Sequence, residues 1–283
     1  HMKVILPNLA AGCSMADMAN LFQVRTAWKN LEDTLKADLL ETRNGKQKII
    51  PITYINSAAN LKAFVGERNG TVCTSTNAPK ALEWALEKGE KVLFFPDQHL
   101  GRNTAVKLGY DPEKDMVVYD PHKPLGGNSP EQIEQATFIF WKGHCSVHMR
   151  FTTEQVLKAK DAHPDINIIV HPECILEVVK MADYVGSTEY IIKTVSQAES
   201  GTKWAVGTEI NLVNRLAKKN PDKTIFCLDP MICPCSTMYR IHPSFLCWAL
   251  ENLVHGTPVN IITVPPKVKH FAKLALDRML TLV

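Results

Sequence analysis

Apolar runs and helical spacings alternate along most of the chain. The run at 48–55, KIIPITYI, is rich in β-branched residues and predicts a buried strand, and residues 57–67 after it have helical spacing. Residues 78–89 predict a second helix, with Asn77 as its N-cap and Gly89 as its stop. Strands that alternate with helices are typical of an α/β fold with a parallel sheet.

The second half of the chain repeats this order. Residues 166–172 predict a buried strand and residues 173–186 a helix. In this repeat Tyr54 corresponds to His171, because each follows an apolar strand run. The pattern therefore predicts an internal duplication of a three-strand, Rossmann-like α/β/α unit with parallel strands and right-handed crossovers.

Three stretches share a further pattern: an apolar run, a small turn, then Cys-Ser and a methionine within four residues of the cysteine. Their cysteines are Cys13, Cys145 and Cys235, the last with Cys233 as a close neighbour. Ligands of open parallel sheets bind at the carboxyl ends of strands. Three units arranged around a pseudo-threefold axis would bring three thiolates together. Such a set suits an iron–sulfur cluster with one open iron better than structural zinc, since the chain has no C-x-x-C.

The repeat also predicts how the chain is divided. The opening stretch, KVILPNLAAGCSMAD, has the pattern of the end of a unit, so we expect the front of the first unit to be absent. The predicted parts are an incomplete first unit at 3–46, a second unit at 47–150, a third unit at 151–240, and a C-terminal helical segment at 241–283 that packs back on the first unit.

Composition narrows the function classes. The chain has 283 residues, 45% of them hydrophobic and 22% charged, as in ordinary globular proteins. Its net charge of +3 has no basic cluster behind it, so nucleic-acid binding is not predicted. Neither a membrane-length apolar run nor a signal peptide is visible in the sequence, so we expect no membrane partner and a cytoplasmic location.

Some cysteine and histidine positions have a simpler interpretation. Cys73, Cys227 and Cys247 lie in apolar runs and are predicted to be buried as small hydrophobic residues. His144 and His148 flank Cys145. A substrate contact or a structural hydrogen bond is the expected role for these two histidines, ahead of direct metal ligation.

Nine short motifs in order, LPNLAAGCSMADM, ITYINSAA, CTSTNA, FPDQHLGRN, WKGHCSVH, HPEC, GST, VGTE and CPCSTM, strongly resemble quinolinate synthase. The resemblance runs from residue 3 to about residue 265. It implies three Rossmann-like domains around a [4Fe–4S] cluster, with Cys13, Cys145 and Cys235 as ligands, because Cys235-Ser-Thr-Met fits the family pattern and Cys233 does not. It also implies condensation of iminoaspartate with dihydroxyacetone phosphate to quinolinate, with aspartate oxidase upstream.

The resemblance further implies the site residues. Glu173 is expected to act as general base, with His171 sharing the proton or orienting substrate and Tyr54 assisting. The expected substrate contacts are Tyr54, Asn56, Ser75, His171, Glu173, Ser187 and Thr188. Ser75 and Thr188 stand near predicted helix N-termini, which favour anions.

Two other functions stay open at this point: another cluster-bearing hydro-lyase, and a non-catalytic metal-binding fragment. The family also uses His, Tyr and Ser residues ahead of its first cysteine. Those positions do not exist in this sequence, so we expect the chain alone to make little or no quinolinate.

Overall fold

The structure is a computed structural model that describes residues 4–43, 45–231 and 234–282. Cys233, the alternative third ligand, lies outside the described residues. The strands are β1 Val4–Ile5, β2 Thr42–Arg43, β3 Lys46–Tyr54, β4 Thr71–Cys73, β5 Gly89–Phe95, β6 Met116–Tyr119, β7 Phe138–Trp141, β8 Asn167–Val170, β9 Tyr184–Val185, β10 Lys203–Gly207, β11 Thr224–Cys227 and β12 Ile261–Ile262. The helices are α1 Leu21–Leu35, α2 Ala59–Glu67, α3 Ala78–Lys88, α4 Gln98–Lys107, α5 Pro130–Gln135, α6 Thr153–Ala162, α7 Leu176–Met181, α8 Thr188–Gln197, α9 Ile210–Lys219, α10 Pro243–Val254 and α11 Pro266–Thr281.

Two parallel sheets form the centre of the fold. The larger sheet has the order β4-β3-β5-β7-β6, with β2 added antiparallel to the start of β3. The smaller sheet has the order β9-β8-β10-β11. Apart from β2, the first three strands of each sheet follow one scheme, in which the second strand along the chain lies outside the first and the third lies on its other side. This confirms the predicted repeated α/β units, although each sheet has more than three strands.

Each sheet is buried between helices. On the larger sheet, one apolar layer joins its strands to α1, α2 and α11, and the opposite layer joins them to α3 and α4. The smaller sheet likewise has an apolar cluster on each face. Buried strands of this kind read as continuous apolar runs, which is why 48–55 and 166–172 were recognisable in the sequence.

Several local predictions were wrong. The segment 173–186 is not one helix, because α7 ends at Met181 and the edge strand β9 follows it. Asn77 precedes α3, but its side chain accepts hydrogen bonds from Thr74 instead of capping the helix. Cys247 is exposed, because much of α10 is exposed, whereas Cys73 is fully buried.

The C-terminal segment meets two parts of the molecule. Strand β12 pairs antiparallel with β1 near the start of the chain. Helix α11 instead packs on α2 and β4 of the larger sheet. The predicted division into 3–46, 47–150, 151–240 and 241–283, and the pseudo-threefold axis, stay predictions. None of the described helices is both long and apolar enough to cross a lipid bilayer.

Candidate active site

The three cysteines of the repeated motif have the same local backbone. Each of Cys13, Cys145 and Cys235 is followed, three residues later, by a one-turn 3-10 helix. These helices are Ala16–Met18, His148–Arg150 and Met238–Arg240. The carbonyl of each cysteine accepts a hydrogen bond from a backbone N–H of the following turn, at 2.9 to 3.0 Å. Cys235 thus shares the turn of the other two cysteines.

Specific contacts hold these three turns near one another. The Trp141 indole N–H donates to the Met18 carbonyl at 2.8 Å, which ties the Cys13 turn to the end of β7. Arg240 donates to the Ala10 carbonyl at 2.8 Å, which ties the Cys235 turn to the Cys13 segment. The side chain of Cys145 packs against apolar clusters of both sheets, one shared with Cys13 and the other with Cys235.

Burial controls the ionisation of two of these thiols. It raises the pKa of both Cys13 and Cys145, and the Glu173 carboxylate raises the pKa of each thiol further. Backbone N–H groups of the second and third residues after each cysteine instead lower the pKa of its thiol. Without a cation these thiols are therefore uncharged, and a bound metal would stabilise their thiolates. The N–H groups are the kind of donor that stabilises sulfur ligands in iron–sulfur sites.

A buried carboxylate lies beside these cysteines. Glu173 follows β8 and is 3% exposed. Its Oε2 is 2.8 Å from Nδ1 of His148, and the Tyr54 hydroxyl at the end of β3 acts on the carboxylate as a hydrogen-bonding group that lowers its pKa. The His148 ring stacks on the His171 ring, with centroids 4.4 Å apart. The network therefore joins the larger sheet, through Tyr54, to the smaller sheet, through Glu173 and His171.

The protonation states in this network follow from burial and charge. Burial alone would raise the pKa of Glu173. The imidazoles of His171 and His148 and the hydrogen bonds from His148 and Tyr54 outweigh burial and hold that pKa below its usual range. Burial lowers the pKa of His171 to about 3 despite the nearby carboxylate, so its ring is neutral. Burial, then the charge of Glu173, raises the pKa of Tyr54 well above its usual value.

One pocket of about 540 Å³ between the two sheets is lined by two of the predicted substrate contacts. Ser75 and Ser187 both line this pocket, together with Lys107 and Lys180. Ser187 is the N-cap of α8 and accepts from the Tyr190 backbone N–H at 3.3 Å. Ser75 is also hydrogen-bonded to Tyr54, so the pocket adjoins the Glu173 network.

Two predicted contacts lie at the surface. Thr188 is the exposed first residue of α8. Asn56 is exposed, two residues beyond Tyr54. Both are therefore open to a ligand, and their roles in substrate binding stay predictions.

A second metal arrangement has to be weighed against the three cysteines. Ligand atoms of Cys145, His148 and Glu173 lie within 4.8 Å of one another, which is close enough for a single ion. Both ring nitrogens of His148 already have partners, however, because Nε2 lies 3.1 Å from the Thr208 hydroxyl. These bonds match the expected structural hydrogen bond of His148. Binding a single ion would break one of them, whereas a cluster held by three thiolates leaves the network intact.

Comparison with known proteins identifies the family of the chain. The model of the family described as Quinolinate synthetase A protein matches residues 1–281. The chain belongs to the quinolinate synthase family. Quinolinate synthase of Corynebacterium glutamicum is 55% identical over all of this chain and 69% of its own length. Those of Streptomyces coelicolor and Geobacillus kaustophilus are 53% and 51% identical, each over 99% of this chain and over 69% and 73% of their own lengths.

Membership of the quinolinate synthase family confirms the resemblance drawn from the nine motifs. It leaves the individual ligands and site residues as predictions. Two residues of the buried network were not among the predicted site residues: His148, for which a substrate contact or a structural hydrogen bond was expected, and Thr208. The repeat offered a signal for Thr208, since it occupies the position of Asp97, which is a buried carboxyl in the larger sheet.

Proposed function

We propose that the protein condenses iminoaspartate with dihydroxyacetone phosphate to give quinolinate, with loss of phosphate and water, in NAD biosynthesis. Family membership supports the reaction. The observation that carries the proposal is the position of Glu173. This ionised, buried base is shared by the two sheets and lies beside a thiol of the proposed metal site.

Cys13, Cys145 and Cys235 would hold a [4Fe–4S] cluster. The fit rests on three thiols at equivalent turns, with N–H donors aimed at the sulfurs of Cys13 and Cys145. When bound, a cluster with one open iron supplies a Lewis acid that helps a hydroxyl leave as water. We keep Cys235 as the third ligand because its turn matches those of the other two cysteines.

The protein side chains handle the protons. Glu173 is ionised and can take a proton from a substrate carbon or nitrogen. Tyr54, whose hydroxyl stays protonated, can donate a hydrogen bond to a substrate oxygen. His171 is neutral, so it can orient the substrate without repelling a cationic imine.

The pocket accounts for the anionic substrates. Ser187 is the N-cap of α8, and its hydroxyl and the N–H groups of the first helical turn would bind phosphate or carboxylate. Ser75, Thr188 and Asn56 would complete the polar contacts. Lys107 and Lys180 line the same pocket and favour anions there. Aspartate oxidase as the upstream enzyme and a cytoplasmic location stay predictions.

Anaerobic reconstitution with iron and sulfide, followed by an assay with both substrates, tests the proposal. We expect visible cluster absorbance. Quinolinate formation would support the reaction and would overturn the sequence-based expectation that this chain alone makes little or none. Cys13→Ala, Cys145→Ala and Cys235→Ala should each lose the absorbance, whereas Cys73→Ala and Cys174→Ala serve as matched controls that keep it.

Two results would contradict the assignment. A cluster that survives in Cys235→Ala and is lost in Cys233→Ala would exclude Cys235 as the third ligand. A loaded protein that binds neither substrate and forms no quinolinate would exclude the reaction for this chain.

A further inference from the structure

Asn56 and Glu173 lie in corresponding loops of the two repeats, just beyond the carboxyl ends of β3 and β8. Asn56 is two residues past the end of β3, and Glu173 is three residues past the end of β8. Such loops carry the site residues but have few backbone bonds of their own. Each loop has one backbone turn bond, from the Ser57 N–H to the Ile55 carbonyl or from the Cys174 N–H to the His171 carbonyl, and donors from neighbouring helices add to it.

Lys62 binds the backbone on both sides of Asn56. Its Nζ donates to the Ile55 carbonyl at 2.8 Å and also to the Ser57 carbonyl. A third contact, at 3.3 Å, joins Nζ to the Ser57 hydroxyl. Lys62 belongs to α2, the helix that follows the loop, so the lysine ties the loop to a rigid element.

Asn103 does the same for Glu173, from the other sheet. Its Nδ2 donates to the Pro172 carbonyl at 2.8 Å and to the Cys174 carbonyl at 2.7 Å. Asn103 is 6% exposed and lies in α4, on the larger sheet. Two carbonyl partners require the NH₂ group, which fixes the orientation of the amide. Its Oδ1 has no partner among the described residues, and the side chain lines the pocket with Ser75 and Ser187.

The first carbonyl of each pair lies in the peptide plane directly before the residue, and the second lies in the plane after the next residue. The two bonds therefore hold the loop backbone on either side of the residue and restrict the direction of its side chain. The two repeats reach this result with unrelated donors, an ammonium and an amide. We infer that Lys62 and Asn103 are positioning residues, Lys62 holding Asn56 for substrate binding and Asn103 holding Glu173 for proton transfer. The inference rests on the proposed function and adds two residues to it.

The chain offers a matched control for each residue. Lys91 Nζ donates to the Glu134 and Ala136 carbonyls, both at 2.6 Å, and so holds Gln135 in the same way. Asn128 Nδ2 donates to the Val118 and Leu125 carbonyls at 3.0 and 3.3 Å. Neither control touches the Glu173 network. The test compares Lys62→Met with Lys91→Met, and Asn103→Leu with Asn128→Leu, in the reconstituted holoenzyme.

The two site variants should differ in which kinetic constant they change. Lys62→Met should raise KM by up to about tenfold with kcat nearly unchanged, because Asn56 contacts substrate in ground and transition states alike. Asn103→Leu should lower kcat by up to about 10²-fold with KM nearly unchanged, because a displaced base acts only in the chemical step. Both controls should keep both constants.

Hydrogen exchange on the unloaded protein gives a second readout, independent of activity. Lys62→Met should speed exchange in residues 53–58 and Asn103→Leu in residues 171–175. If a variant fails to fold, Lys62→Gln and Asn103→Asp take its place. Unchanged kcat and KM in both site variants, or unchanged exchange in both loops, would overturn the inference. If the wild type makes no quinolinate, the proposed function fails, and the exchange experiment alone then decides whether these side chains hold the loops.

Discussion

At the scale of single residues, Glu173 is the most constrained charge in the site. A buried carboxylate is costly unless hydrogen bonds and nearby positive or polar groups compensate for lost water. Glu173 has both kinds of compensation. The His148 ring and the Tyr54 hydroxyl act on its oxygens, and Nδ1 of His171 lies 4.0 Å from its Oε1. The charge is therefore stable in the absence of substrate, and a proton acceptor is available as soon as substrate binds.

Replacing this carboxylate should separate chemistry from assembly. Glu173→Gln keeps the shape but removes the proton acceptor, so we expect a loss of about 10²–10⁴-fold in quinolinate formation. Cluster absorbance should be retained. The matched control is Glu177→Gln, an exposed carboxylate on α7. Turnover near the wild-type rate in Glu173→Gln would remove Glu173 from the mechanism.

Lys62 should give a pH dependence of its own. Burial lowers its pKa to about 8 from 10.5. Between pH 8 and 10.5 the unfolded chain then binds more protons at this lysine than the folded protein does. The contribution of Lys62 to stability therefore rises with pH in this window. Melting temperatures measured from pH 7 to 10 should show that the melting temperature of the wild type, relative to that of Lys62→Met, increases as the pH rises. Lys80→Met, at an exposed position, should follow the wild type in parallel, and equal slopes for all three proteins would contradict the shift.

At the scale of elements, α2 and α11 pack at unusually close range. A Cβ added to Gly66 would lie 1.9 Å from the Phe271 carbonyl oxygen and 2.8 Å from its carbon. Arg278 of α11 also donates to the Gly70 carbonyl at 2.7 Å. The glycine therefore permits the contact that fixes the C-terminal helix on the larger sheet.

Gly66→Ala should force these helices apart. Overpacking of this kind costs about 1–3 kcal/mol, and this cost exceeds the gain in helix propensity. Denaturant unfolding should show the loss, whereas Asn60→Ala, on an exposed position of the same helix, should be neutral or slightly stabilising. A Gly66→Ala protein as stable as wild type would show that α11 can shift without penalty.

Helices and strands with a long sequence pattern were predicted more accurately than short ones. The helix at 78–89 was found at Ala78–Lys88 and the strand at 48–55 at Lys46–Tyr54, because each carries a long, consistent signal. The two-residue strand β9 was missed inside a predicted helix, since its pairing with β8 lies outside the reach of local periodicity. Asn77 failed as a cap because Thr74 offered its side chain a nearer partner.

At the scale of the whole molecule, the sequence predicted which residues form a site but not how they meet. The repeated Cys-Ser motif identified three equivalent turns, and the family motifs pointed to Tyr54 and Glu173. The cross-sheet contacts had no sequence signal. Asn103 lies 69 residues before Pro172, and only the packing of α4 against α7 in the second repeat makes that bond visible.

The hydrogen bond from Tyr54 to Glu173 also sets an order of events in time. Each sheet has apolar clusters of its own, and domains generally fold as units, with the N-terminal one first during synthesis. All strands of the larger sheet have been synthesised once the ribosome has passed Trp141. Tyr54, however, cannot contact the Glu173 carboxylate until the smaller sheet has folded and docked. Helix content should therefore return early in refolding. The network around Glu173, which makes this residue ready to accept a proton, should be the last part of the protein to form.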